Sequence, residues 1–296
     1  MRHAILGAGG VGGLIGASLA RVGESVTLVV RPETLLAHPA KLQLESTFGT
    51  WASDVTWAAT VPPSDVLWLA VKATQLEGAM RSMSDGESIG AIVPLLNGIE
   101  HLDLLRARFG ADRVIPGTIA GETERTGVGH ITHRSPFEIL NIAGRGRALL
   151  EPVCERLRSV GFTCNFMDDE TTLMWGKLVF LAPFALTTTA FDRTIGEVAS
   201  NPETWRPLEG CVRETCAAGQ AEGAKVDTDF VLKGLRSLPH AMRSSMQKDV
   251  DNGRPPELDA IGGAVVRTAQ RHGLKASTTE ELMTQIERRR AARKAS

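Results

Sequence analysis

Tyrosine is absent from the 296 residues, and lysine is scarce: of 33 basic side chains, 25 are Arg and 8 are Lys. The first absence excludes any oxidoreductase chemistry that needs a tyrosyl proton donor, a Tyr-x-x-x-Lys pair included, and moves that task to another side chain. The second marks each retained Lys as a position where Arg did not serve or where chance decided. Cysteine is limited to Cys154, Cys164, Cys211 and Cys216, without C-x-x-C spacing or a nearby His pair. No metal site is therefore expected, and the thiols read as free in a reducing compartment. A formal net charge of -1 gives no overall field toward nucleic acid or an anionic membrane. The longest apolar run, Leu178 to Leu186, covers less than half of a bilayer span, and the first residues pass too quickly into glycines for a signal segment. These absences predict a soluble, cytoplasmic protein with neither nucleic acid nor membrane as partner.

What is present is a 43% hydrophobic chain, long enough for one large or two ordinary domains with real cores. His3 to Leu6 reads as a buried strand, followed by a glycine cluster, a helical stretch from Leu14 to Val22 and a β-branched strand from Ser25 to Val30. This is a β-α-β unit. Further strands are predicted at 42–45, 50–57, 66–71 and 90–94, with helices at 75–83 and 100–109. The alternation over 50–57 suggests a half-solvated antiparallel insertion, and 114–143 suggests an antiparallel extension. A helix at 149–160 and a strand at 163–166 follow. Beyond Asp168 the pattern is helical, at 170–187, 202–222, 229–235, 241–250, 257–272 and 278–292. The fold class is thus α/β: a doubly wound, Rossmann-type parallel-sheet domain over 1–167, then an all-helical domain over 168–296.

The candidate chemistry starts at Gly7-Ala8-Gly9-Gly10-Val11-Gly12. The first glycine permits a tight turn, the second lets backbone approach a pyrophosphate, and the third lets helix pack on strand. Strand before, helix after and a second strand at the right distance make this G-x-G-x-x-G a dinucleotide site. The second strand ends in Val29-Val30-Arg31 where an NAD site usually carries an acid. A guanidinium suits a 2′-phosphate, so NADP (NADPH) is favoured, with Glu33 nearby as a counter-indication. Lys72 and Asn97 both follow apolar strands, at the ends where doubly wound sheets bind ligands. Lys177 lies in the apolar stretch Leu173 to Leu181, where desolvation favours proton donation near neutral pH; a snorkelling lysine is the alternative. Glu257, after Pro255 and Pro256, is placed either to complement a helix start or to orient Lys177.

Taken in order, Gly7 to Gly12, Arg31, Val71-Lys72-Ala73, Leu96-Asn97-Gly98, Trp175-Gly-Lys177-Leu, Ser244-Ser245-Met246-Gln-x-Asp249 and Gly253-Arg254 through Glu257-Leu-Asp259 resemble the ketopantoate reductases (2-dehydropantoate 2-reductases). These are NADPH-dependent oxidoreductases of pantothenate biosynthesis, with a Rossmann domain and a helical domain related to that of 6-phosphogluconate dehydrogenase. The resemblance implies that Lys177 protonates the carbonyl oxygen of a 2-oxo acid while Glu257 organises that lysine and the nicotinamide end of the cofactor. It implies that Ser245, with Ser244 beside it, holds the substrate carboxylate, that Asn97 sits between nicotinamide and substrate, and that Lys72 and Arg31 contact the cofactor. Helical second domains of this kind often supply a homodimer interface.

Three positions depart from the family pattern: Leu181 and Ala185 stand where Asn is usual after the lysine, and Ile195 stands where Asn precedes Gly196-Glu197. A site built to hydrogen-bond a hydroxylated substrate loses discrimination when those groups become apolar. Reduction of a more apolar oxo acid, and an NADP-binding regulator without catalysis, therefore stay open beside ketopantoate reduction.

Overall fold

The structure is a computed structural model that describes residues 1–83 and 88–295. Two compact units form, one from residues 1–96 with 101–173, the other from residues 97–100 with 174 onward.

In the first unit, β1 (Arg2–Leu6), α1 (Gly10–Arg21) and β2 (Ser25–Val29) make the β-α-β unit. Then come β3 (Lys41–Ser46), β4 (Gly49–Asp54), β5 (Thr56–Ala58), β6 (Ser64–Leu69), α2 (Leu76–Met80), β7 (Ile89–Pro94) and α3 (His101–Phe109). The chain continues through β8 (Gly117–Ala120), β9 (Thr123–Gly127), β10 (His130–His133), β11 (Ile139–Ala143), α4 (Arg147–Arg158) and β12 (Thr163–Met167). The main sheet has the order β5-β2-β1-β6-β7, and every pair in it is parallel. Its strands are covered on both faces, so they read as unbroken apolar runs such as Val66-Leu67-Trp68-Leu69, all fully buried. The order reverses direction between β1 and β6, which puts the topological switch point at the ends of those two strands.

Small residues on α1 let it lie against both the main sheet and a second one. A Cβ on Gly16 would reach Ile5 and Leu28, a Cβ on Gly13 would overlap Ile131, and the Ser53 hydroxyl donates to the Ala17 carbonyl at 3.0 Å. That second sheet, β4-β3-β10-β9, and a third, β12-β11-β8, correct one expectation and extend another. The stretch 50–57 is not one strand: β4 runs antiparallel to β3, whereas β5 joins the main sheet beside β2. Within 114–143 the expected antiparallel pairing is present, β9 with β10 and β8 with β11, but the two pairs lie in different sheets and join β3 and β12 in parallel. Alternation along a strand reports which face is wet, not which partner it takes.

The second unit is built of α5 (Glu170–Phe191, from Met174 on), α6 (Ile195–Ser200), α7 (Pro202–Ala221), α8 (Thr228–Arg236), α9 (Ser245–Asp251), a π-turn (Asp259–Gly263), α10 (Ala264–Arg271) and α11 (Ser277–Ala295). At 22 residues, α5 is long and apolar enough to cross a membrane by length and composition, which the uninterrupted run alone did not suggest, yet 72% of its apolar 18-residue window is buried in protein. It continues through Pro183. The missing bond costs about 3 kcal/mol, but each fully buried Leu, Val or Phe returns about 1.5–3 kcal/mol, and Leu178, Val179, Phe184 and Leu186 are all buried. The short α6 went unpredicted. Six residues cannot form a helix alone; this one is held by a capping box in which the Thr194 hydroxyl accepts from the Glu197 N–H and the Glu197 carboxylate accepts from the Thr194 N–H. Thr194-x-x-Glu197 is legible in the sequence and was the missed signal.

Candidate active site

Gly7 leaves β1 with φ +106°, a conformation in which a side chain would be strained, and a Cβ there would lie 2.8 Å from the Ala70 carbonyl oxygen. The glycine loop thus touches the segment after β6, which carries Lys72 two residues on. A Cβ on Gly12 would overlap the Gly7 carbonyl, and one on Gly10 would sit 2.7 Å from the Thr123 carbonyl oxygen. Gly9 differs: a Cβ there would meet nothing within 4 Å. Gly9 is also the N-cap of α1, with no side-chain cap and no acid in the first turn. Gly7, Gly10 and Gly12 therefore shape the loop, while Gly9 faces open space in front of uncapped N–H groups. That arrangement fits a dinucleotide pyrophosphate.

Lys72 is half-buried and opens a short 3-10 turn over Ala73–Gln75. Arg31 lies just past β2 with its side chain 79% exposed, its Nε 3.6 Å from Glu33 Oε1. The guanidinium is available to a phosphate, but a carboxylate already accompanies it.

In the second unit the structure brings Asn97 and Glu257 together. Asn97 Nδ2 donates to Glu257 Oε2 at 2.9 Å across 160 positions of sequence, and Glu257 is only 6% exposed. A buried carboxylate needs such a donor, because burial without one costs several kcal/mol. Lys177 is half-buried on α5. Its neighbours Trp175 and Leu178 share one hydrophobic core with Leu258, the residue after Glu257.

The two serines separate. Ser244 is 1% exposed and caps α9, its Oγ accepting from Gln247 N at 3.1 Å and bonding to Thr188 Oγ1 at 3.0 Å and Thr189 Oγ1 at 3.3 Å. Ser245 is exposed on the first turn. The geometry gives Ser244 structural work and leaves Ser245 open to solvent. Among the described residues, no group of three or more His, Cys, Asp or Glu is arranged to hold a metal ion.

Sequence reasoning missed a set of residues around Asn97. Glu100 accepts from Arg267 Nε and Nη2 at 2.9 and 2.6 Å, and Asp259 accepts from Arg267 Nη1 at 2.6 Å. Gly98 has φ +82°, and a Cβ on it would overlap the Ala260 carbonyl oxygen. Only the Asn-Gly turn was available as a local signal; nothing local marks Arg267.

Comparisons with known proteins agree with this fold. The family model for ketopantoate reductase PanE/ApbA matches residues 3–143, and that for the ketopantoate reductase PanE/ApbA C terminal matches residues 169–290. A 2-dehydropantoate 2-reductase of Mycobacterium tuberculosis is 30% identical over 233 residues, 75% of each chain. A crystal structure of a PanE/ApbA family ketopantoate reductase from Ralstonia eutropha JMP134 superposes with a TM-score of 0.88 at 24% identity, covering 99% of this chain and 100% of that one. A ternary structure of D-mandelate dehydrogenase with NADH and anilino(oxo)acetate superposes at 0.87 with 20% identity, covering 99% of both. On the family-model matches and the Mycobacterium relative together, this chain belongs to the ketopantoate reductase family.

Proposed function

We propose that the chain reduces a 2-oxo acid, ketopantoate or a close relative, to the 2-hydroxy acid, with NADPH as hydride donor and Lys177 as proton donor. The observation that carries the reading is the Asn97 to Glu257 hydrogen bond. Both residues were singled out separately in the sequence, and they meet at bonding distance in the unit that also carries Lys177.

The backbone N–H groups at the start of α1 hold the cofactor's pyrophosphate beside Gly9, and Arg31 and Lys72 bind its phosphates or ribose. When bound, the nicotinamide supplies the hydride that adds to C2 of the oxo acid. Lys177 gives a proton to the oxygen on C2 as negative charge builds there, the role of a general acid. Glu257 offers negative charge that keeps an ammonium oriented. Asn97 fixes one oxygen of that carboxylate and has a second N–H and a carbonyl with which to engage a ligand. Ser245 donates to the substrate carboxylate. Small molecules are the only partners this chemistry requires.

A second reading concerns the substrate. Ala185 and Ile195 are buried in the apolar cores of the helical unit, and Leu181 packs against one of them, so none of the three offers a hydrogen bond to a hydroxylated substrate. That favours a more apolar 2-oxo acid, handled by the same machinery, at the expense of ketopantoate.

A screen of 2-oxo acids followed by NADPH absorbance tests both. Turnover of ketopantoate supports the first reading, turnover of other oxo acids alone supports the second, and tight NADPH binding without any turnover rejects both in favour of a regulator. Lys177→Ala is expected to lower kcat by at least about a hundredfold, with NADPH affinity nearly intact. Full activity in that variant removes Lys177 from the mechanism.

A further inference from the structure

Four consecutive residues are fastened to one stretch of chain by four different contacts. Asn97 donates to Glu257, Gly98 lies against the Ala260 carbonyl, Ile99 packs into the core that contains Leu258 and Ile261, and Glu100 receives two bonds from Arg267. Every nitrogen of the guanidinium is engaged: it spans Glu100 with Nε and Nη2 and reaches Asp259 with Nη1. The two carboxylates raise the Arg267 pKa still further above its ordinary value.

Stability alone does not account for the backbone built around this arrangement. The Arg267 and Glu100 side chains are 40% and 39% exposed; exposed ion pairs typically contribute about 0–1 kcal/mol, and a bidentate pair in a network stands at the upper end of that scale. The backbone, however, is shaped around the pair. Asp259–Gly263 adopts a π-turn, a rare irregularity that is frequent at functional sites. A Cβ on Gly263 would lie 2.5 Å from Asp259 Oδ1 and 2.9 Å from Arg267 Nη1, so the missing side chain leaves room for the bond. Two carboxylates bridged by one planar fork also require Arg specifically, since Lys has neither the geometry nor the reach of five donors.

Resting on the function proposed above, we propose that Arg267 is a positioning residue: by clamping Glu100 and Asp259 it fixes the 97–100 segment on the π-turn, so that the Asn97 amide meets Glu257. Arg267 touches none of the reacting atoms in this assignment. Its effect passes through Asn97, and a displacement of about 1 Å there is enough to cost up to a hundredfold in rate.

The test uses the full chain with the Asn97 side-chain amide observed by NMR, its signals identified by their loss in Asn97→Ala. In the wild type one amide proton is expected to be shifted and protected from exchange by its bond to the carboxylate. In Arg267→Met, and in Glu100→Gln should that variant fail to fold, the pair is expected at the positions of an unbonded amide. With substrate, kcat is expected to fall about tenfold to a hundredfold while NADPH affinity stays within about twofold, and Arg267→Lys is expected not to rescue it. Added to Asn97→Ala, Arg267→Met should cost less than about a further twofold in kcat, because the two act as one unit. Unchanged Asn97 amide signals in a folded Arg267 or Glu100 variant overturn the proposal, as does a full additional loss in the Asn97→Ala background. Absence of 2-oxo acid reduction in the wild type rejects the functional reading instead, and the amide signals still decide the clamp.

Discussion

The glycine loop after β1 and the segment 97–100 occupy comparable positions in sequence, each just past an apolar strand, yet they are built largely by different means. The loop is defined by absent side chains: Gly7, Gly10 and Gly12 are backbone pressed against backbone, and Gly9 leaves space. The 97–100 segment keeps one such contact, Gly98 against the Ala260 carbonyl, but is otherwise held by core packing of Ile99 and by polar and charged side chains that reach it from positions 257 to 267. Where glycine backbone is pressed on backbone, as at Gly7, Gly10 and Gly12, a larger residue has nowhere to go. Where side chains do the holding, the segment depends on each distant partner.

Four variants or conditions press on that difference. The largest effect is expected for Gly12→Ala, whose methyl would overlap the Gly7 carbonyl. Overpacking against main chain is expected to cost about 3 kcal/mol or more, seen as a melting temperature lower by roughly 6–12 °C together with loss of NADPH binding by fluorescence titration. Next is Gly98→Ala. The left-handed conformation costs a non-glycine about 1–2 kcal/mol, and the overlap with Ala260 displaces Asn97, so kcat should fall at least about tenfold with NADPH affinity retained; a loss of cofactor binding there would erase the distinction between the two regions.

A pH effect is expected in the glycine-loop unit. His3, on β1, is buried and accepts from Trp68 Nε1 through Nδ1 at 3.1 Å, which leaves Nε2 as the protonated nitrogen of a neutral ring, 3.4 Å from Glu24. Burial pushes its pKa from the ordinary 6.5 down to about 4. A depressed folded pKa means the stabilisation is complete above pH 6.5 and is lost as pH falls toward 4. The urea midpoint of that unit should decline across this window and flatten in His3→Gln; a midpoint that rises on acidification contradicts the assignment of a neutral ring. The smallest change in stability belongs to Gly9→Ala. With nothing within 4 Å of the new methyl, the melting temperature should hold within about 2 °C while NADPH affinity drops by about tenfold or more. Equal damage to fold and affinity would mean that Gly9 is one more structural glycine.

How much of this was legible in sequence follows the same division. The loop could be read because its partners are local: a strand, three spaced glycines and a helix within thirty residues fix the geometry. The parallel sheet and the helical second half could be read from their periods. The split of 50–57 between two sheets could not, since solvent alternation carries no information about partner. Asn97 and Glu257 could each be nominated, but their meeting depends on a turn closed by Gly98 and on Arg267, which looks in sequence like any other helical arginine among 25. Ser244 and Ser245 are adjacent and chemically identical; only the capping geometry of α9 tells them apart.

The claim at the centre of this account is that the chain itself passes hydride from a nicotinamide to C2 of a 2-oxo acid. The direct measurement is mass spectrometry of the 2-hydroxy acid formed from the wild-type protein with NADPH deuterated at the transferable C4 position. A product carrying that deuterium at C2 is expected, formed at an initial rate at least about a hundredfold lower by Lys177→Ala. Unlabelled product, or no product from ketopantoate or any other 2-oxo acid, would contradict it.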